Sequence, residues 1–74
     1  MTFGKWLKIK LKQNKIQQKD LAREICVAEN TVTSWTTDYR EPSIRNFLWI
    51  CKFLAIEENT SMQNMVHEAS QFFI

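Results

Sequence analysis

The sequence predicts an all-α protein, and three observations support this. The chain has 74 residues, the size of one domain with one hydrophobic core. It contains one glycine and one proline, too few for the tight turns that a β-sheet needs. Hydrophobic residues make up 45% of the chain, and they recur at intervals of three and four residues, as they do in amphipathic helices.

Three short helices are predicted in the first half of the chain, over about residues 3–14, 17–25 and 28–36. Residues spaced by three or four form a buried stripe on each helix. The stripes are Phe3, Leu7 and Leu11 with Trp6 beside them, then Leu21, Ala22 and Ile25, then Val32 and Trp35. The opposite face of the third helix is polar, and the predicted packing leaves it without a partner in the domain.

Two further helices follow a loop at residues 38–43. The residue before Pro42 is pushed out of helical geometry, and Ser43 can cap the fourth helix. The core side of that helix is predicted to carry Ile44, Phe47, Leu48, Cys51 and Leu54. Because this helix is apolar nearly all round, we expect a second surface to cover part of it. The last helix has Asn59, Thr60 and Ser61 as candidate caps.

Charge is distributed unevenly along the chain. Residues 1–23 carry seven cations and one acid, whereas residues 57–74 carry three glutamates and no lysine or arginine. This gradient favours a basic face for a polyanion, although such a face is more often simply solvated. The two cysteines lack the spacing of a zinc site or a disulfide framework, and no apolar run is long enough for a membrane span. We therefore expect a cytoplasmic protein without membrane contact.

Two helices joined by a tight corner are typical of the helix-turn-helix motif. The pattern Q-x-x-L-A-x-x-x-x-V-x-x-x-T-V-x-x-W, followed by R-E-P-S and a helix ending in L-A-I, resembles the Cro and lambda-repressor (XRE-like) type of regulator over about residues 3–66. The resemblance implies a compact bundle of about five helices that binds double-stranded DNA, usually as a homodimer on a palindromic operator. Residues 1–74 would form a single domain, with the motif at about 17–36 and the last helix, about 60–73, available for dimerisation.

The resemblance assigns the polar face of the third helix to base recognition in the major groove. The candidate residues are Ala28, Glu29, Asn30, Thr31, Thr33 and Ser34. Asn30 can pair with the N6 and N7 edge of adenine, and Glu29 can accept a hydrogen bond from the cytosine amino group. Glu29 can equally be a first-turn anion on the helix dipole. The helix has no arginine, so the commonest guanine contact is missing.

Phosphate contacts are assigned by the same resemblance to residues that flank the recognition helix. These are Gln17, Gln18, Lys19, Arg40 and Arg45. In the family the glutamine at position 18 also braces the recognition helix. Lys8 and Lys12 are interpreted as general positive field.

Three departures from the family pattern bear on how DNA is bound. Cys26 stands at a corner where the family usually has glycine, and a positive φ there would cost about 1 kcal/mol. Leu11 and Thr36 replace an arginine and a glutamate that form a partly buried ion pair in many relatives. Because both partners are replaced, neither leaves an unpaired charge behind. Asp38 replaces a loop glycine, where it can adopt the left-handed conformation and would place a negative charge near the DNA backbone.

Apolar residues exceed what the inner face of a small bundle can cover, which favours a homodimer. The candidate interface consists of Trp49, Phe53, Phe72, Phe73 and Ile74. The alternative is that the tail folds back onto the core of its own chain.

Other functions are less well supported by the sequence. His67, the single histidine, has no nucleophile placed for activation, so we expect no enzyme, metal site, cofactor or small-molecule ligand. The serious rival is a protein-interaction module of the antirepressor or antitoxin kind, which keeps the bundle without depending on operator binding. The sequence leaves open the operator, the target genes and the choice between repression and activation.

Overall fold

Five α-helices make up the part of the chain that the computed structural model describes, residues 1–73. They are α1 (Phe3–Gln13), α2 (Gln18–Glu24), α3 (Glu29–Thr36), α4 (Ile44–Glu57) and α5 (Met62–Ser70). No residue of 1–73 lies in a strand. The predicted all-α class is confirmed, and the predicted ends of α1, α2 and α3 are correct to within one residue.

Side-chain caps start several of the helices. Thr2, Ser43 and Ser61 each accept a hydrogen bond from the backbone N–H three residues later, at the starts of α1, α4 and α5. At the start of α2, the Asp20 carboxylate accepts a hydrogen bond from the N–H of Gln17 at 3.2 Å. These bonds satisfy backbone donors that have no partner inside the helix.

Each of the four connections between helices turns through one residue with positive φ, and none of these residues is glycine. Lys15, Cys26, Asp38 and Asn59 have φ values of 58°, 59°, 61° and 53°. The N–H of each bonds to the carbonyl three residues earlier, and the next N–H bonds to the carbonyl five residues earlier. This pair of hydrogen bonds defines the Schellman motif. The same device therefore ends α1, α2, α3 and α4.

The core is formed by apolar residues from all five helices. The largest fully buried side chains are Leu7, Leu21, Val32, Ile50, Cys51, Leu54 and Met65. Burial raises the pKa of the Cys51 thiol to about 11, so this group stays protonated and acts as a small apolar side chain. Within residues 1–73, no helix is long and apolar enough to cross a membrane.

The inner face of α4 differs from the predicted one. Ile44 and Leu48 are 66% and 40% exposed, so their assignment to the core is wrong. The buried residues of α4 are Phe47, Ile50, Cys51, Leu54 and Ala55. The helix is apolar on nearly every side, and its periodicity alone could not select which side faces inward.

A buried lysine joins α1 to the end of the bundle. Lys10 is 8% exposed, and its Nζ lies 3.0 Å from Glu58 Oε2 and 2.9 Å from Glu68 Oε2. Trp6 Nε1 donates to Glu68 at 2.9 Å, and Asn14 Nδ2 donates to Glu58 at 2.9 Å. The network joins α1 to α5 and to the residue after α4.

Contacts within this network shift the pKa values of Lys10 and Glu68. Burial by itself lowers the pKa of Lys10, but its hydrogen bonds to Glu68 and Glu58 outweigh burial and raise it. Burial likewise raises the pKa of Glu68, but hydrogen bonds from Lys10 and Trp6 outweigh it and lower the pKa. Both shifts favour the charged forms.

The Glu68→Gln variant tests the stabilising effect of this network. Because the pKa of Glu68 is lowered in the folded state, its contribution is present at neutral pH, begins to fall below the ordinary pKa of a glutamate and is lost as pH falls through the lower folded-state pKa. We expect the variant to lower the free energy of unfolding at pH 7 by about 1 kcal/mol, a small value because Glu68 is partly exposed. Urea denaturation at pH 7 and pH 3 measures the difference, which should be smaller at pH 3. Glu57→Gln, at an exposed residue of α4, is the matched control; an equal loss there would contradict the assignment.

Candidate nucleic-acid interface

The two helices of the motif, α2 and α3, cross at a close distance. Ala22 and Leu21 of α2 are buried, as is Val32 of α3, and the small side chain of Ala22 permits the close crossing. Thr33 Oγ1 donates a hydrogen bond to Gln18 Oε1 at 2.9 Å. Gln18 therefore braces α3, as the resemblance implies.

The inward and outward faces of α3 divide as the spacing predicted. Val32, Trp35 and Thr36 are buried. Of the six candidate base-reading residues, Ala28, Glu29, Asn30 and Thr33 are exposed, and Thr31 and Ser34 are half-buried.

Two of the hydroxyl groups on the outward face already donate hydrogen bonds inside the protein. Thr33 donates to Gln18, and Ser34 Oγ donates to the Thr31 carbonyl at 2.6 Å. The side chains of Glu29 and Asn30 are exposed at the start of α3. They are the polar groups of this face that are best placed to meet an external partner.

Two grooves border α3, one along the helix and one at its first residue. One groove is lined by residues of α3, the following loop and the start of α4, namely Asn30, Thr31, Ser34, Trp35, Tyr39, Arg40, Glu41, Ser43 and Asn46. The other is lined by residues of α1, the start of α2 and the start of α3, namely Lys8, Leu11, Lys12, Ile16, Gln17, Gln18 and Glu29. Both grooves therefore reach the first turn of α3, the first at Asn30 and the second at Glu29.

The predicted phosphate residues distribute over several surfaces. Arg40 lines the first groove, Gln17 and Gln18 line the second, and Lys19 is exposed beside them in α2. Arg45 lies instead on the outer side of α4, where it borders a surface with Trp49.

Besides the buried Trp35, four residues that line the first groove were not predicted as site residues, namely Tyr39, Glu41, Ser43 and Asn46. Tyr39 is 79% exposed, and the Arg40 guanidinium lies 5.9 Å from the centre of its ring. Asn46 lies in the first turn of α4 and reaches the same groove. The signal for Asn46 was available, since Ser43 was predicted to cap this helix and Asn46 is three residues later.

The structure shows the conformation and contacts of the residues that depart from the family pattern. Cys26 has positive φ, as anticipated for a glycine position. Leu11 and Thr36 are both buried, and Thr36 Oγ1 donates to the Thr33 carbonyl at 3.1 Å. No charge is stranded by the paired loss.

Asp38 has a role within the fold that the sequence did not indicate. It accepts a hydrogen bond from Thr2 Oγ1 at 2.6 Å and from the Gly4 N–H at 3.0 Å. Its charge is thus directed at the start of α1, where the helix dipole favours an anion. A Cβ atom at position 4 would overlap the Trp35 carbonyl oxygen and the Asp38 carboxylate. Gly4 is therefore required for the close approach of α1 to the end of α3.

The candidate dimer residues differ in their surroundings. Trp49 is 45% exposed, and Phe53 is half-buried. Phe73 packs against its own chain, and its ring centroid lies 4.2 Å from that of Phe47. Phe72 stacks on Trp6 with 6.3 Å between the ring centroids. The two phenylalanines thus adopt the alternative arrangement, in which the tail folds back, although both keep some exposed surface. Ile74 lies outside the described residues.

Comparison with known families identifies the family of this chain. A family model described as helix-turn-helix matches residues 7–59, more than half of the chain. The chain therefore belongs to the helix-turn-helix regulators of the Cro and lambda-repressor type, which bind DNA and regulate transcription. No curated protein and no solved structure gave a significant match.

The positive φ of Cys26, at the corner between α2 and α3, is expected to lower the stability of the fold. A residue with a Cβ atom is disfavoured in the left-handed region, so Cys26→Gly should raise the free energy of unfolding by up to about 1 kcal/mol. Cys26→Ala keeps the Cβ atom and is the matched control. Denaturant unfolding under reducing conditions measures both. Equal stabilisation by alanine and glycine would show that the backbone conformation is not the cause.

Proposed function

We propose that this chain is a small transcriptional repressor or other regulator that binds a palindromic operator as a homodimer. The observation that carries the proposal is the outward face of α3. There Glu29 and Asn30 are exposed at the start of the helix, between two grooves with polar and basic borders. This arrangement suits an α-helix that enters the major groove with its first turn toward the base edges.

Asn30 is the residue that best fits direct base recognition. Its amide has a donor and an acceptor, the pair that matches the N7 and N6 groups of adenine. Glu29 would select cytosine by accepting from its amino group, and it would also repel phosphates at a misplaced site. Ala28, Thr31, Thr33 and Ser34 would add apolar contact with thymine methyl groups or single hydrogen bonds.

Contacts with the DNA backbone would come from both sides of α3. Arg40 borders one groove, and Gln17, Gln18 and Lys19 lie at the other side. Such contacts orient the protein without reading sequence. Arg45, on the outer side of α4, would reach the backbone only near the two-fold axis of a dimer.

The outer side of α4 supports the homodimer. Leu48 and Trp49 are 40% and 45% exposed, and Met62 at the start of α5 is 39% exposed. These three residues border one surface with Arg45 and Lys52. A two-fold partner would cover this surface with its own copy and would set the two recognition helices about 34 Å apart, one turn of DNA. Phe53 borders the adjoining surface of α4, whereas Phe72 and Phe73 would contribute only their exposed edges.

The function is tested by selection from random duplex DNA, followed by binding measurements with two variants. Asn30→Ala should lower the preference for one base pair in each half-site by about 1 to 3 kcal/mol. Arg40→Ala should weaken binding to all sequences about equally, because a phosphate contact carries no sequence information. Fluorescence anisotropy on the selected site and on its single-base variants measures both effects.

Two results of that experiment would contradict the proposal. If no sequence is enriched over background, operator binding fails, and the protein-interaction module becomes the better explanation. A uniform loss for Asn30→Ala would instead show that α3 docks in another orientation.

The homodimer is tested by Trp49→Asp, which places a charge on the proposed interface. We expect the variant to sediment as a monomer at micromolar concentration, to keep its helix content and to bind the operator far more weakly. Ile9→Asp is the matched control because Ile9 in α1 is 46% exposed. Phe73→Asp should instead lower the melting temperature, since this ring stacks on Phe47. A wild-type protein of monomer mass at that concentration would refute the dimer.

A further inference from the structure

A cavity of about 170 Å³ lies between the end of α2 and the outer side of α4. Six residues line it, namely Glu24, Ile25, Trp49, Lys52, Phe53 and Ile56. None of these residues is among those assigned above to base or phosphate contacts. The cavity is therefore a candidate site for a ligand other than DNA.

The walls of the cavity are mainly apolar. Ile25 and Phe53 are half-buried and pack against the core, whereas Trp49 and Ile56 are 45% and 67% exposed. An apolar cavity of about 150 Å³ is large enough to hold benzene, so this one has room for a single aromatic ring. Such a ring would meet the rings of Trp49 and Phe53, and aromatic pairs in offset or edge-on contact attract one another beyond the effect of burial.

Two side chains of opposite charge complete the lining. Glu24 and Lys52 are both exposed, and neither forms an ion pair within residues 1–73, where both salt bridges belong to Lys10. Lys52 Nζ lies 5.0 Å from the centre of the Trp49 ring, a contact that favours an ammonium position beside the cavity. Glu24 is the last residue of α2, so the two charges come from different helices. A ligand with one charge of each sign would find a partner for both.

The size of the cavity favours a small molecule over a segment of another protein. A helix that binds in a groove buries several side chains spread over two or more turns, whereas this cavity holds one ring. The surface assigned above to the dimer adjoins the cavity and shares Trp49 and Lys52 with it, but its other residues are different. A bound ligand would therefore lie next to the proposed dimer interface.

We propose that this cavity binds a small aromatic zwitterion, whose ring lies among the apolar side chains, whose carboxylate pairs with Lys52 and whose ammonium group pairs with Glu24. The inference goes beyond the proposed function, because operator binding does not require it. The sequence predicted no small-molecule ligand, since the six residues belong to two separate parts of the chain and only the fold brings them together.

The test uses three compounds that share one benzyl group. L-Phenylalanine carries both charges, 3-phenylpropionate carries only the carboxylate, and 2-phenylethylamine carries only the ammonium group. Binding is followed by NMR through the indole N–H signal of Trp49, which is assigned with Trp49→Phe. Trp6 and Trp35 are buried in the core, so their indole signals are internal controls. We expect a saturable shift of the Trp49 signal alone, with the tightest binding for L-phenylalanine and weaker binding for L-leucine, which has no ring.

Two variants that remove one charge each should give a crossed pattern. Lys52→Gln should weaken the binding of L-phenylalanine and 3-phenylpropionate by up to about fivefold, the range of an exposed ion pair, without weakening that of 2-phenylethylamine. Glu24→Gln should weaken the binding of L-phenylalanine and 2-phenylethylamine without weakening that of 3-phenylpropionate. Lys5→Gln and Glu57→Gln are the matched controls, because both residues are exposed and neither lines the cavity. They should leave all three affinities unchanged.

Three results would overturn the inference. One is a Trp49 signal that does not move with L-phenylalanine up to its solubility limit. Another is the same affinity for L-leucine as for L-phenylalanine, or equal losses for all three compounds in both charge variants. The third is a Trp49 signal that moves with protein concentration and not with the compounds, because a second copy of the chain would then fill the cavity. Circular dichroism melts confirm that each variant is folded, and operator binding keeps its own test.

Discussion

The recognition helix has eight residues, and a helix of that length is not stable in water without tertiary contacts. Its stability depends on burial of Val32 and Trp35 and on the close approach of α1. At that contact Gly4 leaves room for the Trp35 carbonyl, and Asp38 accepts hydrogen bonds from the start of α1. The direction in which the outward face of α3 points is therefore set by α1 together with α2, whose Gln18 accepts a hydrogen bond from Thr33.

Ion pairing inside the bundle also determines what the surface can do. Lys10 forms ion pairs with Glu58 and Glu68 on the inner side of α1, and these pairs join α1 to α5 and to the end of α4. The same pairing removes two acids from competition for the exposed lysines. In α1, Lys10 thus forms the internal network, whereas Lys5, Lys8 and Lys12 place positive charge on the surface.

The corners of the fold combine a conformational cost with compensating hydrogen bonds. Asp38 and Asn59 tolerate positive φ comparatively well, whereas Lys15 and Cys26 are less suited to it. The two less favourable corners flank α2, so they set the geometry of the helix-turn-helix. Both corners carry the full pair of Schellman hydrogen bonds, which helps to hold the backbone in a conformation that these side chains disfavour.

The sequence by itself determined the helices, the family and the two faces of α3, because each of the first three helices carries a narrow apolar stripe with one possible inward side. It could not orient α4, where Ile44 and Leu48 are as apolar as the buried residues and only the space left by the other helices selects among them. Nor could it show that Lys10 is buried or that Phe73 stacks on Phe47. Those contacts join residues far apart in the chain, so only tertiary packing brings their partners together.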